Sequence, residues 1–287
     1  LTRTIALAVI LLARATFAHS QVGTTTGEPL TVAGVPIYGI SENGDLNWYF
    51  HQGARTHQGA ALWANRGQPV KVGNGWNEGR MVFKGDSHGN DGVIYRVDSR
   101  GDLYWYDHVG QATGTAEWRE GRKVGNGWQG ARLGFAGGNG VVYLIDQKGD
   151  LYWYRHLGYR SGTAEWANGG TGAKVGVGWG GARLAFAGGN GVIYMIDRQG
   201  DLYWYRHTGH TDGTFRWANN ATGIKVGNGW NEAAVAFSGG DGLIYALKRD
   251  DNLYWYDHTG FQTGAATWGA GTGNQIGTGW QSMVRIF

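Results

Sequence analysis

The chain has 287 residues, with 54 glycines, 15 tryptophans, 15 tyrosines, no cysteine and a formal net charge of +3. Without cysteine there is neither a disulfide framework nor a thiolate metal site. An aromatic content of 14% excludes a disordered or collagen-like chain. The small positive charge follows no basic run, which argues against nucleic acid as a partner.

In chain order, residues 1–20 read as a secretory signal peptide. Arg3 precedes an apolar run from Ile5 to Ala13, and Thr16-Phe17-Ala18-His19-Ser20 supplies small residues for cleavage. The run is too short to span a bilayer, so the expectation is a secreted protein without a membrane span. Residues 21–34, threonine- and glycine-rich, read as a flexible lead-in.

From Val35 onward three landmarks recur five times, about 50 residues apart. A Trp-Tyr pair with a histidine behind it falls at Trp48, Trp105, Trp153, Trp204 and Trp255. A lone tryptophan falls at Trp63, Trp118, Trp166, Trp217 and Trp268. A Gly-x-Gly-Trp step ends at Trp76, Trp128, Trp179, Trp230 and Trp280. The pattern uses every tryptophan in the chain.

Within the copy at 180–230 the apolar runs are short: Arg183–Phe186, Val192–Ile196, Leu202–Tyr205 and Ile224–Val226. Between the first three lie Ala187-Gly188-Gly189-Asn190-Gly191 and Asp197-Arg198-Gln199-Gly200-Asp201, both with hairpin-turn chemistry. The unit is a meander of antiparallel strands. Val192 to Ile196 are apolar at every position, so both sheet faces need cover, and only the neighbouring copies can supply it. Four-stranded sheets stacked around an axis make a five-bladed all-β propeller.

The ends predict how the ring shuts. Val35-Pro36-Ile37-Tyr38 matches the second strand of the unit, and Met283–Phe287 matches its first. Pairing them closes the ring, giving blades at 35–77 with 281–287, 78–128, 129–179, 180–230 and 231–280.

A sugar ring needs a flat aromatic surface and a few oriented polar groups. The Gly-x-Gly-Trp loops offer both. Asn74, Asn126 and Asn228 stand two residues before the tryptophan, with Val177 and Thr278 in the other copies. Asn77, Gln129, Gly180, Asn231 and Gln281 follow it. The candidate binding residues are therefore Asn74, Trp76, Asn77, Asn126, Trp128, Gln129, Trp179, Asn228, Trp230, Asn231, Trp280 and Gln281. A tryptophan here can equally serve as a wedge between blades. His51, His108, His156, His207 and His258 recur one step behind the Trp-Tyr strand and are secondary candidates, either for a ligand or for capping the strand. Asp98, Asp146, Asp197 and Asp250 begin turns, and Asp45, Asp102, Asp150 and Asp201 close them. They read as turn formers, with no blade-specific acid pair such as glycoside hydrolysis needs. Asn-Glu at 77–78 and 231–232 is the pair that most merits checking. Nothing calls for a metal or a cofactor.

The Lys-Val-Gly-x-Gly-Trp step (Lys71–Trp76, Lys123–Trp128, Lys174–Trp179, Lys225–Trp230), the strand after it, the Gly-x-Ile-Tyr strand and the ending on a bare inner strand resemble the tachylectin-type five-bladed lectins. The resemblance covers Val35 to Phe287 and implies N-acetylated hexosamines bound between neighbouring blades by the loop joining them. The chain departs from the family in having one glycine, not two, directly before this tryptophan. Before the lone tryptophan it has Ala-Leu, Ala-Glu, Ala-Glu, Phe-Arg and Ala-Thr where the family has Asp-Asn.

The expectation is a secreted, non-enzymatic, multivalent lectin with up to five junction sites and glycans or glycoconjugates as partners. The alternatives are a propeller glycoside hydrolase or lyase, and a protein-interaction ring with purely structural tryptophans.

Overall fold

The computed structural model describes residues 34–56, 58–86 and 91–287. The expected signal segment and the lead-in up to residue 33 lie outside the described residues. The rest forms five four-stranded antiparallel sheets. From the inner strand outward, blade 2 is Met81–Lys84, Val93–Val97, Leu103–His108 and Trp118–Gly125. Blade 3 is Ala131–Gly138, Val141–Asp146, Leu151–Arg155 and Ala173–Gly176. Blade 4 is Leu184–Gly189, Val192–Ile196, Leu202–Arg206 and Ile224–Gly227, and blade 5 is Ala233–Gly240, Leu243–Lys248, Leu253–Asp257 and Asn274–Gly277.

Blade 1 takes its inner strand, Met283–Ile286, from the end of the chain and the others, Val35–Ser41, Leu46–His51 and Val70–Gly73, from its beginning. The two ends pair antiparallel, Gly39 opposite Ile286 and Ser41 opposite Met283. Tyr38 and Phe287 then exchange backbone hydrogen bonds of 2.9 and 3.0 Å. All five inner strands line one central cavity of about 170 Å³, so the ring is closed.

Because both faces of each sheet are apolar, the core lies between blades rather than inside them. The second-strand residues Ile94, Val142, Ile193 and Ile244 are each fully buried against the preceding blade. The Trp-Tyr tryptophan lashes four of the five junctions from the other side, the buried Trp255 indole N–H finding no acceptor among the described residues. In those four the indole N–H donates to a loop carbonyl of the next blade: Trp48 to Gln111, Trp105 to Tyr159, Trp153 to His210 and Trp204 to Phe261, at 2.7–2.8 Å. In blades 2, 3 and 4 an arginine does the same at the inner edge. Arg132 reaches the carbonyls of Trp179 and Ala182, Arg183 those of Trp230 and Ala233, and Arg80 those of Trp128, Gln129 and Ala131.

The largest boundary difference from the sequence reading is in blade 4. The inner strand of blade 4, expected at 183–186, continues to Gly189. A register shift between Ala187 and Gly189 absorbs the extra residue, and Gly189 sits at φ +91°. That backbone conformation costs glycine almost nothing.

Candidate functional site

The loop from the outer strand of one blade to the inner strand of the next is built around the second glycine of Gly-x-Gly-Trp. Gly75, Gly127, Gly178, Gly229 and Gly279 have φ between +73° and +83°. This turns the chain into a single 3-10 turn starting at the tryptophan. The tryptophan N–H is tied to the strand-connecting turn of its own blade, for example Trp128 to the Gly101 carbonyl at 2.9 Å. Its ring is thereby swung across the junction.

There it meets a tyrosine from the third strand of the next blade. The pairs are Trp76–Tyr106, Trp128–Tyr154, Trp179–Tyr205, Trp230–Tyr256 and Trp280–Tyr49, with ring centroids 4.5–5.0 Å apart. The lone tryptophan of that blade completes the group. Its indole N–H reaches back to the previous blade's outer strand, as in Trp118 to Val72, Trp166 to Val124 and Trp217 to Val175 at 2.6–2.7 Å. Trp63 and Trp268 make the same bond to Ile276 and Val226.

Each junction thus carries an aromatic trio, and at three of them the trio lines an open cleft. Between blades 2 and 3 the cleft holds about 280 Å³ and is walled by the loop 124–128, Tyr154, Trp166, Gly169 and Gly170. Between blades 3 and 4 it holds about 200 Å³, with Val177, Met195 and Phe215 on its walls. Between blades 5 and 1 it holds about 430 Å³, with Thr278, Gln68 and Ser282 among its lining.

The Gly-Trp indoles are 4–6% exposed. They are wedges that form the floor of the cleft, while the half-buried lone tryptophans and the tyrosines form its wall. Burial raises the pKa of all five tyrosines, Tyr256 to about 12. Each therefore keeps its proton, and no hydroxyl of the five takes a hydrogen bond among the described residues. A protonated hydroxyl without a protein partner is free to donate to or accept from a ligand.

The sequence candidates divide into three groups. Position two before the tryptophan is exposed at every junction, and Asn126, Val177 and Thr278 line clefts. Asn74 and Asn228 occupy the same loop position at the other two junctions. The residue after the tryptophan faces elsewhere. Asn77 donates to the Glu42 carbonyl at 3.1 Å, Gln129 packs on Gly101, and Asn231 packs on Gly200 and donates to Glu232. Gln281 follows Trp280 in the same 3-10 turn and is not among the cleft-lining residues. At Asn77, Gln129 and Asn231 the 3-10 turn thus lays the residue back against the blade that leads into the loop.

The five histidines are wholly buried. His108, His156, His207, His258 and His51 each accept at Nδ1 from a tyrosine of the preceding blade, respectively Tyr38, Tyr95, Tyr143, Tyr194 and Tyr245, at 2.7–2.9 Å. Each donates from Nε2 to a carbonyl of its own blade at 2.8–2.9 Å. Both ring nitrogens are spent on the protein. The ligand reading of these histidines is corrected by this geometry: they fasten blades, and each also packs its ring against the lone tryptophan at 4.4–4.8 Å. Burial holds their pKa values down, that of His51 at about 4.

The carboxylates are occupied in turns. Asp98, Asp146 and Asp197 each accept two backbone N–H bonds of 2.8–3.0 Å. Asp45, Asp102, Asp150 and Asp201 pair with Lys71, Lys123, Lys174 and Lys225 at 2.6–2.8 Å. In blade 5 both partners change together, to Asn252 and Gln275. The aspartates and the Gly-x-Gly-Trp lysines are thus two halves of one repeated surface ion pair. Glu78 and Glu232 sit at separate junctions, each in its own 3-10 turn. No cluster of three or more potential metal ligands occurs among the described residues, and no described helix is long and apolar enough to cross a membrane.

The wall residues, Tyr154 and Trp166 with their counterparts, escaped the sequence reading. Their signal was present in the recurrence of the lone tryptophan, but repetition alone does not distinguish a buried ring from one beside a cleft.

Among solved structures, the chain is similar to a mutant of the Aleuria aurantia lectin in complex with alpha-methyl-L-fucoside. Identity is 15% and the TM-score 0.42, covering 85% of this chain and 74% of that one. It is also similar to Prp20p from Saccharomyces cerevisiae, at 12% identity and a TM-score of 0.40, covering 85% of this chain and 61% of that one. The chain spans about three fifths of the length of the first solved structures it matches. No curated protein matches it. A family model described as Tachylectin matches residues 37–285, nearly the whole of the propeller, and the chain belongs to that family.

Proposed function

We propose that this protein is a secreted, non-catalytic lectin that binds neutral sugars, N-acetylated hexosamines first among them, at up to five blade junctions. One observation carries the reading: a repeated cleft whose wall is a half-buried tryptophan and a tyrosine with an unused hydroxyl. A pyranose lays its C–H face on such a ring and hydrogen-bonds to the polar groups beside it. A volume of about 280 Å³ between blades 2 and 3 suits one sugar residue rather than a chain. The repeated aspartates support binding over hydrolysis, since they serve turns and surface ion pairs. Family membership supports the same ligand class.

A glycan array on the purified chain, followed by Trp166→Ala, tests this. A variant that still melts cooperatively, at a lower temperature because the Val124 bond and the His156 contact are lost, and that binds the best glycan more weakly is expected. Unchanged binding after the substitution at every junction in turn would leave the tryptophans purely structural, as in a protein-interaction ring.

The junctions are not equivalent, and this yields a second expectation. Val177 is 63% exposed at the place where Asn126 stands one junction earlier. Val177→Asn should strengthen the cleft between blades 3 and 4 by about fivefold, the worth of one net hydrogen bond. Asn126→Val should weaken its own by a similar factor. Titrations of the two variants with N-acetylglucosamine measure both effects.

A further inference from the structure

Where blades 3 and 4 meet, a second cleft of about 200 Å³ opens at the opposite end of the strands from the Gly-x-Gly-Trp loops. Asn139 and Asn190, at the tips of the inner hairpins, form one side. Arg155 and Tyr159 of blade 3 and His210 and Thr211 of blade 4 form the other. No acidic side chain lines it.

We propose that this cleft is a separate binding site for an acidic sugar residue, one carrying a carboxylate or a sulfate. Arg155 donates from Nη1 to the Thr211 carbonyl at 2.8 Å, which fixes the guanidinium across the junction. Its other N–H groups have no protein acceptor among the described residues, and a fixed guanidinium fork matches the geometry of an oxyanion. His210 is held by Nδ1, which donates to the His207 carbonyl at 3.1 Å. Its Nε2 is left as an acceptor for a hydroxyl. An anion alone has no use for that acceptor, whereas a sugar acid offers the oxyanion and the hydroxyl together. Asn139 and Asn190, both exposed with φ near +50°, add amides at the rim.

The combination belongs to this junction. The position of Arg155 is Asp107 in blade 2, Asp257 in blade 5 and Phe50 in blade 1. Arg206 of blade 4 makes the matching bond, to the Gln262 carbonyl at 2.8 Å. Phe261 stands there in place of His210, so that junction lacks the acceptor.

The test titrates the full chain with glucuronate against glucose, and with galactose 6-sulfate against galactose. At least one acidic sugar should bind saturably at one per chain, more tightly than its neutral partner. Arg155→Gln should lower that affinity by roughly tenfold or more, and Arg155→Lys should recover only part of it. The melting temperature and the N-acetylglucosamine titration report the fold and the junction sites separately, so failure there is distinguishable. The proposal is overturned if neither acidic sugar binds, or if Arg155→Gln leaves binding unchanged. It is overturned equally if inorganic sulfate binds as tightly as the sugar acids, or if phosphatidylserine vesicles bind through Arg155 and the sugars do not.

Discussion

Deleting Met283–Phe287 should abolish the cooperative melting transition of this protein. These residues make the fourth strand of blade 1, and Ile286 and Phe287 are 4% and 5% exposed. The Phe287 ring stacks on Tyr38 at 5.6 Å. Losing a buried phenylalanine typically costs about 3–5 kcal/mol and a buried isoleucine about 2–5 kcal/mol. The two together approach the roughly 5–15 kcal/mol that holds an ordinary domain folded. The deletion also strips Val35–Ser41 of its inner ladder partner and opens the ring, so the real loss exceeds the side-chain sum. Phe287→Ala alone should lower the melting temperature by roughly 10 °C, at about 2–4 °C per kcal/mol for a chain of this size. Calorimetry measures both. A truncated chain that melts like the full one would show that the terminal strand is not the closure.

The second large effect is acid instability with a defined window. Five histidines are buried and neutral, each between a tyrosine hydroxyl and a carbonyl. Burial depresses their folded pKa below the ordinary value, that of His51 to about 4. Between the folded and unfolded values the unfolded chain binds more protons, so stability rises with pH there. The contribution is complete above about pH 6.5 and is lost as the pH falls towards the folded values. For His51 alone, a drop from 6.5 to about 4 corresponds to roughly 3 kcal/mol.

Asp91 works in the opposite sense. Its burial, with Asp86 nearby, lifts it to about 7, so its share of stability declines as the pH rises through the same range. Asp107 and Asp257 are raised as well, by burial first. The histidines and these carboxyls thus act in opposite directions, and Asp91→Asn should uncover the histidine share as a melting temperature that falls when the pH drops from about 7.5 to about 4.5. A flat profile would mean that the histidines are not desolvated. Tyr95→Phe separates the hydrogen bond from the burial. It leaves His156 Nδ1 without its donor, at a cost of about 1–3 kcal/mol.

Blade number, strand order and closure were legible in the sequence because each rests on local pattern. Short apolar runs, glycine turns and the mismatched ends state them directly. The site was legible only in part. Asn126 could be named because it shares a loop with an obvious tryptophan, whereas Val177 and Thr278, which also line clefts, stood in the sequence only as replacements for that asparagine. Gln129 and Asn231 were chosen on the same ground, but a single 3-10 turn faces them away from the cleft. Trp166 and Tyr154 could not be singled out, since what exposes them is the angle at which one blade meets the next. The histidines were ambiguous for a related reason. The tyrosine that occupies Nδ1 lies about 60 residues earlier in most copies and across the ring closure in one, Tyr245 with His51.

Calorimetric titration of the intact chain with N-acetylglucosamine tests the account most directly. Repeated clefts on one rigid ring predict more than one sugar bound per chain, with weak individual affinity and a much tighter grip on a multivalent glycoconjugate. A stoichiometry of one, or no heat with this sugar or any other on the array, would contradict it.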